Sequence, residues 1–202
     1  GDVYKRQLPG VKDHFGNSLG CSDIASGCSQ HAVLRQWCPF TCGICPAAQE
    51  QRLLERRALE SLYDAAGGPG WTFKGGHANN WRSHGEQCHC RWTGVTCADT
   101  GACNESAVRS VRLLAIGASG TLPGAVFVDL KELTYFVLTD NPQLSGSLPE
   151  AWATMTQMQK LSLRSNQLTG SLPEAWATMT QMQVLSLRSN QLTGSLPEAW
   201  AT

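Results

Sequence analysis

The 202-residue chain has no run near the roughly 20 apolar residues that a membrane-spanning helix needs. It also lacks an excess of either charge: 16 Lys and Arg stand against 16 Asp and Glu. With no basic cluster, neither nucleic acid nor an anionic membrane surface is expected as a partner. Catalytic signatures are missing too. There is no Gly-rich phosphate loop, no G-x-S-x-G elbow and no H-E-x-x-H pair, so neither enzyme activity nor a cofactor is expected. Cysteine is absent after Cys103; all nine lie between Cys21 and Cys103, which points to an oxidising compartment for that part. An odd number leaves at least one thiol free or paired outside the chain.

What the chain does have is repetition. Ser147–Gly170 (SLPEAWATMTQMQKLSLRSNQLTG) recurs at Ser171–Gly194 with a single change, Lys160 against Val184, and a third copy opens at Ser195. A fixed period of 24 residues means one supersecondary unit per repeat. Leu161 and Leu163 flank Ser162 as in a short half-buried strand. One coil buries about seven apolar groups at about 1.5–3 kcal/mol each. Ordering its backbone costs about 1–2 kcal/mol per residue, so a lone coil is unstable and must stack on neighbours. The pattern M-x-x-M-x-x-L-x-L-x-x-N-x-L-x-G-x-L-P resembles the plant-type leucine-rich repeat. That resemblance implies an α/β fold, a leucine-rich-repeat solenoid wound as a right-handed superhelix, whose concave strand face binds partners without catalysis.

Taken in order, Asp2–Gln7 (DVYKRQ) resembles the translation of a sequencing-library adapter, so residues 1–7 are expected to be a scar. Both ends are accordingly expected to be truncated. Residues 8–46 hold Cys21, Cys28, Cys38, Cys42 and Cys45 in some forty residues, which is too little chain for a core without staples. The ending C-P-x-T-C-G-x-C with Asp13 upstream resembles the ShK-toxin-like (ShKT) domain. The family's pairing implies Cys21–Cys38 and Cys28–Cys42. Its first cysteine is replaced here by Val11, which leaves Cys45 free or intermolecular. No lysine precedes Cys38 in the segment His31–Trp37, which argues against the channel-blocking function of the toxins.

Residues 47–107 begin with helix formers over Gln49–Ala66, with Leu54, Ala58, Leu62 and Ala66 along one stripe and Gly67-Gly68-Pro69 as the stop. The helix, then G-G-P-G-W, then C-x-W-x-G-V-x-C together resemble the N-terminal cap of plant-type repeats. That implies a helical, disulfide-bonded cap with Cys90 paired to Cys97 around Trp92. Cys88 and Cys103 are extra to the motif and are assigned to each other. Zinc held by His84, Cys88, His89 and Cys90 is disfavoured because adjacent ligands crowd a tetrahedral site, so no metal is expected. Asn104-Glu-Ser106 is a glycosylation sequon consistent with secretion.

The coils occupy residues 108–202. Asn141, Asn166 and Asn190 recur where each strand ends, and their amides are expected to bond backbone of their own and the next coil. Trp152, Trp176 and Trp200 read as core on the convex side rather than as sugar platforms. Registering the coils on L-x-L gives outward columns: Ser110, Tyr135, Lys160, Val184; then Arg112, Val137, Ser162, Ser186; then Leu114, Thr139, Arg164, Arg188; then Ala115, Asp140, Ser165, Ser189. Tyr135, Thr139, Asp140, Lys160, Arg164 and Arg188 are the candidate ligand-binding residues. The function expected is that of an extracellular or cell-surface protein binding a protein, peptide or glycan, with any membrane anchor outside this stretch. A receptor-like-kinase ectodomain, a non-catalytic part of a secreted enzyme, and a structural wall or matrix protein are the alternatives.

Overall fold

The computed structural model describes residues 7–12, 18–20, 46–74, 80, 81, 89–98 and 107–200, with side chains described for 51–74, 80, 81, 89–98, 107–124 and 127–200. The chain forms two compact units, residues 1–51 and 52–202. In the first, β1 (Gln7–Lys12) pairs antiparallel with β2 (Ser18–Gly20), with an irregular register between Gln7 and Lys12. The cysteines of the ShKT-like segment, with Cys88, Cys103 and Asn104, lie outside the described residues.

Helix α1 (Pro46–Ala65) opens on a proline, which is suited to the first helical position because that residue has no intrahelical N–H bond to lose. In the second unit Ala58, Leu59, Leu62 and Ala66 are buried, a stripe set by i, i+3 and i+4 spacing. Gly67 ends the helix in the left-handed region at φ 70°, where a Cβ would also meet the Ser119 hydroxyl. Tyr63, Trp71, Trp81 and Trp92 pack in sequence, with ring centroids 5.1–5.2 Å apart along Tyr63–Trp71–Trp81–Trp92. The indole N–H groups of Trp71 and Trp81 donate to the Ala66 and Thr93 carbonyls, so these large side chains are buried without orphaned donors.

β3 (Val95–Cys97) pairs antiparallel with β4 (Val108–Leu114) and starts the main sheet. β5 (Ser119–Thr121) follows in the same coil. The next coils supply β6 (Tyr135–Thr139) and β7 (Gln143–Ser147), β8 (Lys160–Ser162) and β9 (Gln167–Gly170), and β10 (Val184–Ser186) and β11 (Gln191–Leu192). Two sheets result: β10-β8-β6-β4-β3, parallel apart from β3, and an all-parallel β11-β9-β7-β5. Short 3-10 turns at Ala125–Asp129, Glu150–Thr154, Glu174–Thr178 and Glu198–Trp200 close the circuit. The second sheet comes from the L-x-G-x-L-P segment, whose glycines Gly120, Gly146, Gly170 and Gly194 all adopt positive φ.

Inside, Leu113, Leu138 and Leu163 are fully buried, as are Leu144 and Leu168 of the second sheet. Trp152 and Trp176 stack nearly parallel, 6.1 Å apart at 4°, and donate to the carbonyls of Pro123 and Pro149 one coil earlier. Their ring faces are covered by neighbouring coils and offer no platform to a sugar.

The asparagines tie the stack. Asn166 Nδ2 donates to the Leu163 carbonyl of its own coil and to the Leu138 carbonyl of the preceding one, and its Oδ1 accepts from Asn141 N–H. Asn190 repeats this with Leu187, Leu163 and Leu168 N–H. Asn141 Oδ1 accepts from the N–H groups of Ile116 and Ala118, which compensates for the Ile that stands in the asparagine position of the first coil. The expectation of a reach into the following coil is corrected here: the amides reach into the preceding one. Asn166→Leu removes three buried hydrogen bonds, but the Leu163 carbonyl keeps Asn190 and the Asn141 N–H keeps the Ser165 carbonyl, so the Leu138 carbonyl is the group most affected by losing the amide, at about 1–3 kcal/mol. A loss of about 1–3 kcal/mol is expected in urea unfolding, read as a lower midpoint at unchanged m-value.

Candidate ligand-binding face

The outward side of the main sheet is set by strict register. Ser110 faces Tyr135, Tyr135 faces Lys160, and Lys160 faces Val184; Arg112, Val137, Ser162 and Ser186 form the next row. Tyr135, Arg112, Leu114, Val184 and Arg188 are exposed, whereas Lys160 and Arg164 are half-buried. Thr139 departs from the expectation. It is only 1% exposed, a short side chain paired with Leu114 of β4, and little of it is open to a ligand. Its hydroxyl instead donates to Asp140 Oδ2 at 2.9 Å.

Asp140 sits at a turn that recurs in every coil. Ala115, Asp140, Ser165 and Ser189 all have positive φ, between 49° and 62°, a conformation that short polar side chains tolerate better than bulky ones. The turn swings the following residue, Asn141, Asn166 or Asn190, inward. Arg164 approaches Asp140 Oδ2 at 3.5 Å. The Thr139 hydroxyl bond holds the Asp140 carboxyl below its usual 3.8; desolvation opposes this, and Ser165 and the charges of Arg164 and Lys74 add to the lowering. On the next row Arg109 pairs with Glu132 at 2.9 Å.

The expectations did not include Arg112, Leu114 or Val184 among the site residues, although all three stand on the outward columns. Alternation along β4 was the available signal for the first two: its outward positions Arg112 and Leu114 flank the buried Leu113.

At the other end of the unit Cys90 and Cys97 form a disulfide, Cα–Cα 5.6 Å, closing a loop around the buried Trp92. The Cys90 sulfur is thereby committed to carbon and sulfur rather than to a metal. His89 lies against Glu55, Nε2 to Oε2 3.5 Å, both buried. Among the described residues no helix is long and apolar enough to cross a membrane.

Residues 54–98 match the model of the leucine rich repeat N-terminal domain, and residues 157–179 and 181–202 that of the Leucine Rich Repeat. The second unit thus has a leucine-rich-repeat fold, with a match to the leucine rich repeat N-terminal domain ahead of its repeats. No curated protein matches the chain. Among solved structures, the ectodomain of the receptor kinase SOBIR1 from Arabidopsis thaliana is 24% identical over 71% of this chain and 70% of its own, at a TM-score of 0.55. The PEPR1–AtPEP1 structure is 27% identical, TM-score 0.56, over 72% of this chain and 19% of that one. A plant ice-binding protein is 24% identical, TM-score 0.59, over 74% and 44%. The chain therefore spans about a fifth of the PEPR1 chain and under half of the ice-binding protein.

A carboxyl whose acidity is raised in the folded state stabilises the fold above its unfolded pKa, and that contribution fades as pH falls through the lower folded value. Asp140→Asn is therefore expected to melt below the wild type at neutral pH, with the difference closing below about pH 3.8. Thermal unfolding of both proteins from pH 7 to 2.5 measures it.

Proposed function

We propose that this chain is the recognition part of an extracellular or cell-surface leucine-rich-repeat protein that binds a protein or peptide partner, without catalysis, through the outward face of the main sheet. The observation that carries this reading is a division of labour within each coil. Most of the repeated Leu, Met, Trp and Asn residues are consumed by stacking, which leaves the outward strand positions free to meet a partner. Tyr135, Asp140, Lys160, Arg164 and Arg188 stand there, with Asp140 and Arg164 partnered to each other. The disulfide at Cys90–Cys97 suits an oxidising compartment. PEPR1, solved together with AtPEP1, supports a peptide among the partner classes. A glycan partner, or a place in a receptor-like-kinase ectodomain, is the second reading.

The architecture that goes with this is a ShKT-like module over residues 8–46, a cap over 47–107 and coils over 108–202. Cys21–Cys38, Cys28–Cys42 and Cys88–Cys103 would be the remaining disulfides, with Cys45 left over and Asn104 glycosylated.

A phage-displayed library of random peptides tests the location of the site. Clones enriched on the wild-type chain are expected to compete with one another. They should bind Tyr135→Ala and Val137→Arg about tenfold or more weakly, as for loss of an aromatic anchor at the centre of a contact. Glu174→Ala, on the 3-10 turn, should leave them unchanged. Clones that bind the two sheet-face variants as well as the wild type would place recognition elsewhere.

A further inference from the structure

Net charge over the whole chain is zero, yet the near-identical coils from Ser147 on carry their acids and their bases on different segments. Glu150, Glu174 and Glu198 are exposed on the 3-10 turns, while Arg112 and Lys160 stand on strands of the main sheet and Arg164 and Arg188 two residues beyond the ends of β8 and β10. The acids next to those cations are already engaged: Glu132 with Arg109, and Asp140 with Thr139 and Arg164. Among the described residues no carboxylate pairs with Arg112, Lys160 or Arg188. Large apolar side chains are exposed on the same face, Leu114 at 48%, Tyr135 at 43% and Val184 at 45%. They interleave with the cations: Lys160 lies between Tyr135 and Val184 in one row, and Leu114 follows Arg112 by two residues on β4.

Resting on the reading that this face is the binding site, we infer that its ligand is a short extended peptide segment that presents both carboxylates and aliphatic or aromatic side chains on one side, at every second residue. Carboxylates satisfy Arg112, Lys160 and Arg188, and the bidentate guanidinium geometry suits them. The apolar residues of the peptide cover Leu114, Tyr135 and Val184. A uronic-acid polymer meets the first requirement and fails the second, because it has no hydrocarbon side chains to place on Leu114 and Val184. The path from β4 to β10 crosses three inter-strand steps, about 14 Å. That is about four residues of extended chain, so the recognised segment is short. Charge of this kind raises the association rate and sets specificity, while the apolar contacts supply burial.

The test uses a labelled octapeptide whose every second residue is in turn glutamate and leucine, with serine between them, its glutamine counterpart, and an oligogalacturonate of matching length, titrated by fluorescence anisotropy against the chain. The glutamate peptide is expected to bind at least about tenfold more tightly than the glutamine peptide at low salt. Arg112→Gln/Arg188→Gln should abolish that preference, and Arg112→Lys/Arg188→Lys should restore most of it. Leu114→Ser/Val184→Ser should weaken both peptides about threefold to tenfold. Equal binding of the two peptides, or none, overturns the inference. Oligogalacturonate binding as tightly, and indifferent to Leu114→Ser/Val184→Ser, overturns it in favour of an anionic glycan. If library clones still map to Tyr135 and Val137 in either case, the site stands and only its ligand class falls. If they do not, the site falls with it. Unchanged melting temperatures of these exposed-residue variants keep the comparison on binding.

Discussion

The second unit depends on how a strand can end and turn inward without stranding its backbone. A parallel sheet built from three- to seven-residue strands has few ladder bonds per strand, and each chain must leave the sheet within one coil. A left-handed residue makes the bend, and the asparagine after it supplies two donors and an acceptor at the point where the carbonyls and N–H groups of two coils would otherwise face an apolar interior. Because each amide reaches back to the preceding coil, every coil is secured by its successor. Leu163 illustrates the sharing: its carbonyl accepts from both Asn166 and Asn190, and its N–H donates to Ser186. Removing one amide therefore touches two coils at once.

Much of this was legible in the residues. Alternation around Leu161 and Leu163 marks the main strands, the periodic asparagines mark their ends, and the spacing of Leu and Pro marks the circuit. The second sheet was not legible, because its strands are short and carry glycine, which is depleted in strands, so local propensity points to a loop. Only stacking against the neighbouring coil makes Gln143–Ser147 and Gln167–Gly170 extended. The burial of Thr139 was hidden for a related reason. Period-two counting places it outward, but the left-handed turn at Asp140 begins immediately after it and its hydroxyl is held by the Asp140 carboxylate. Residue type did foretell one thing at that turn: Asp and Ser occupy three of its four positions.

The binding face was legible as a set of positions but not as a pattern of partners. Sequence registration put Arg164 and Arg188 in one column as equivalent cations. Their surroundings differ, since Arg164 has Asp140 and Arg188 has no such acid, and that difference arises in the second coil, outside the duplicated stretch. Near-identical repeats therefore do not make a uniform face. Lys160 against Val184 is a difference in the letters, while Arg164 against Arg188 is a difference in neighbours.

The tryptophan column has a consequence of another kind. Trp152 and Trp176 hold their indoles almost coplanar in orientation, 6.1 Å apart, with both N–H groups anchored to the backbone one coil earlier. Two identical chromophores fixed at that distance couple their electronic transitions and pass excitation between them. The near-ultraviolet spectrum of the chain thus carries an exciton contribution that belongs to the contact between two coils rather than to either coil. Separation of the coils would erase that signal while leaving each indole intact, which makes the repeat its own optical gauge of stacking.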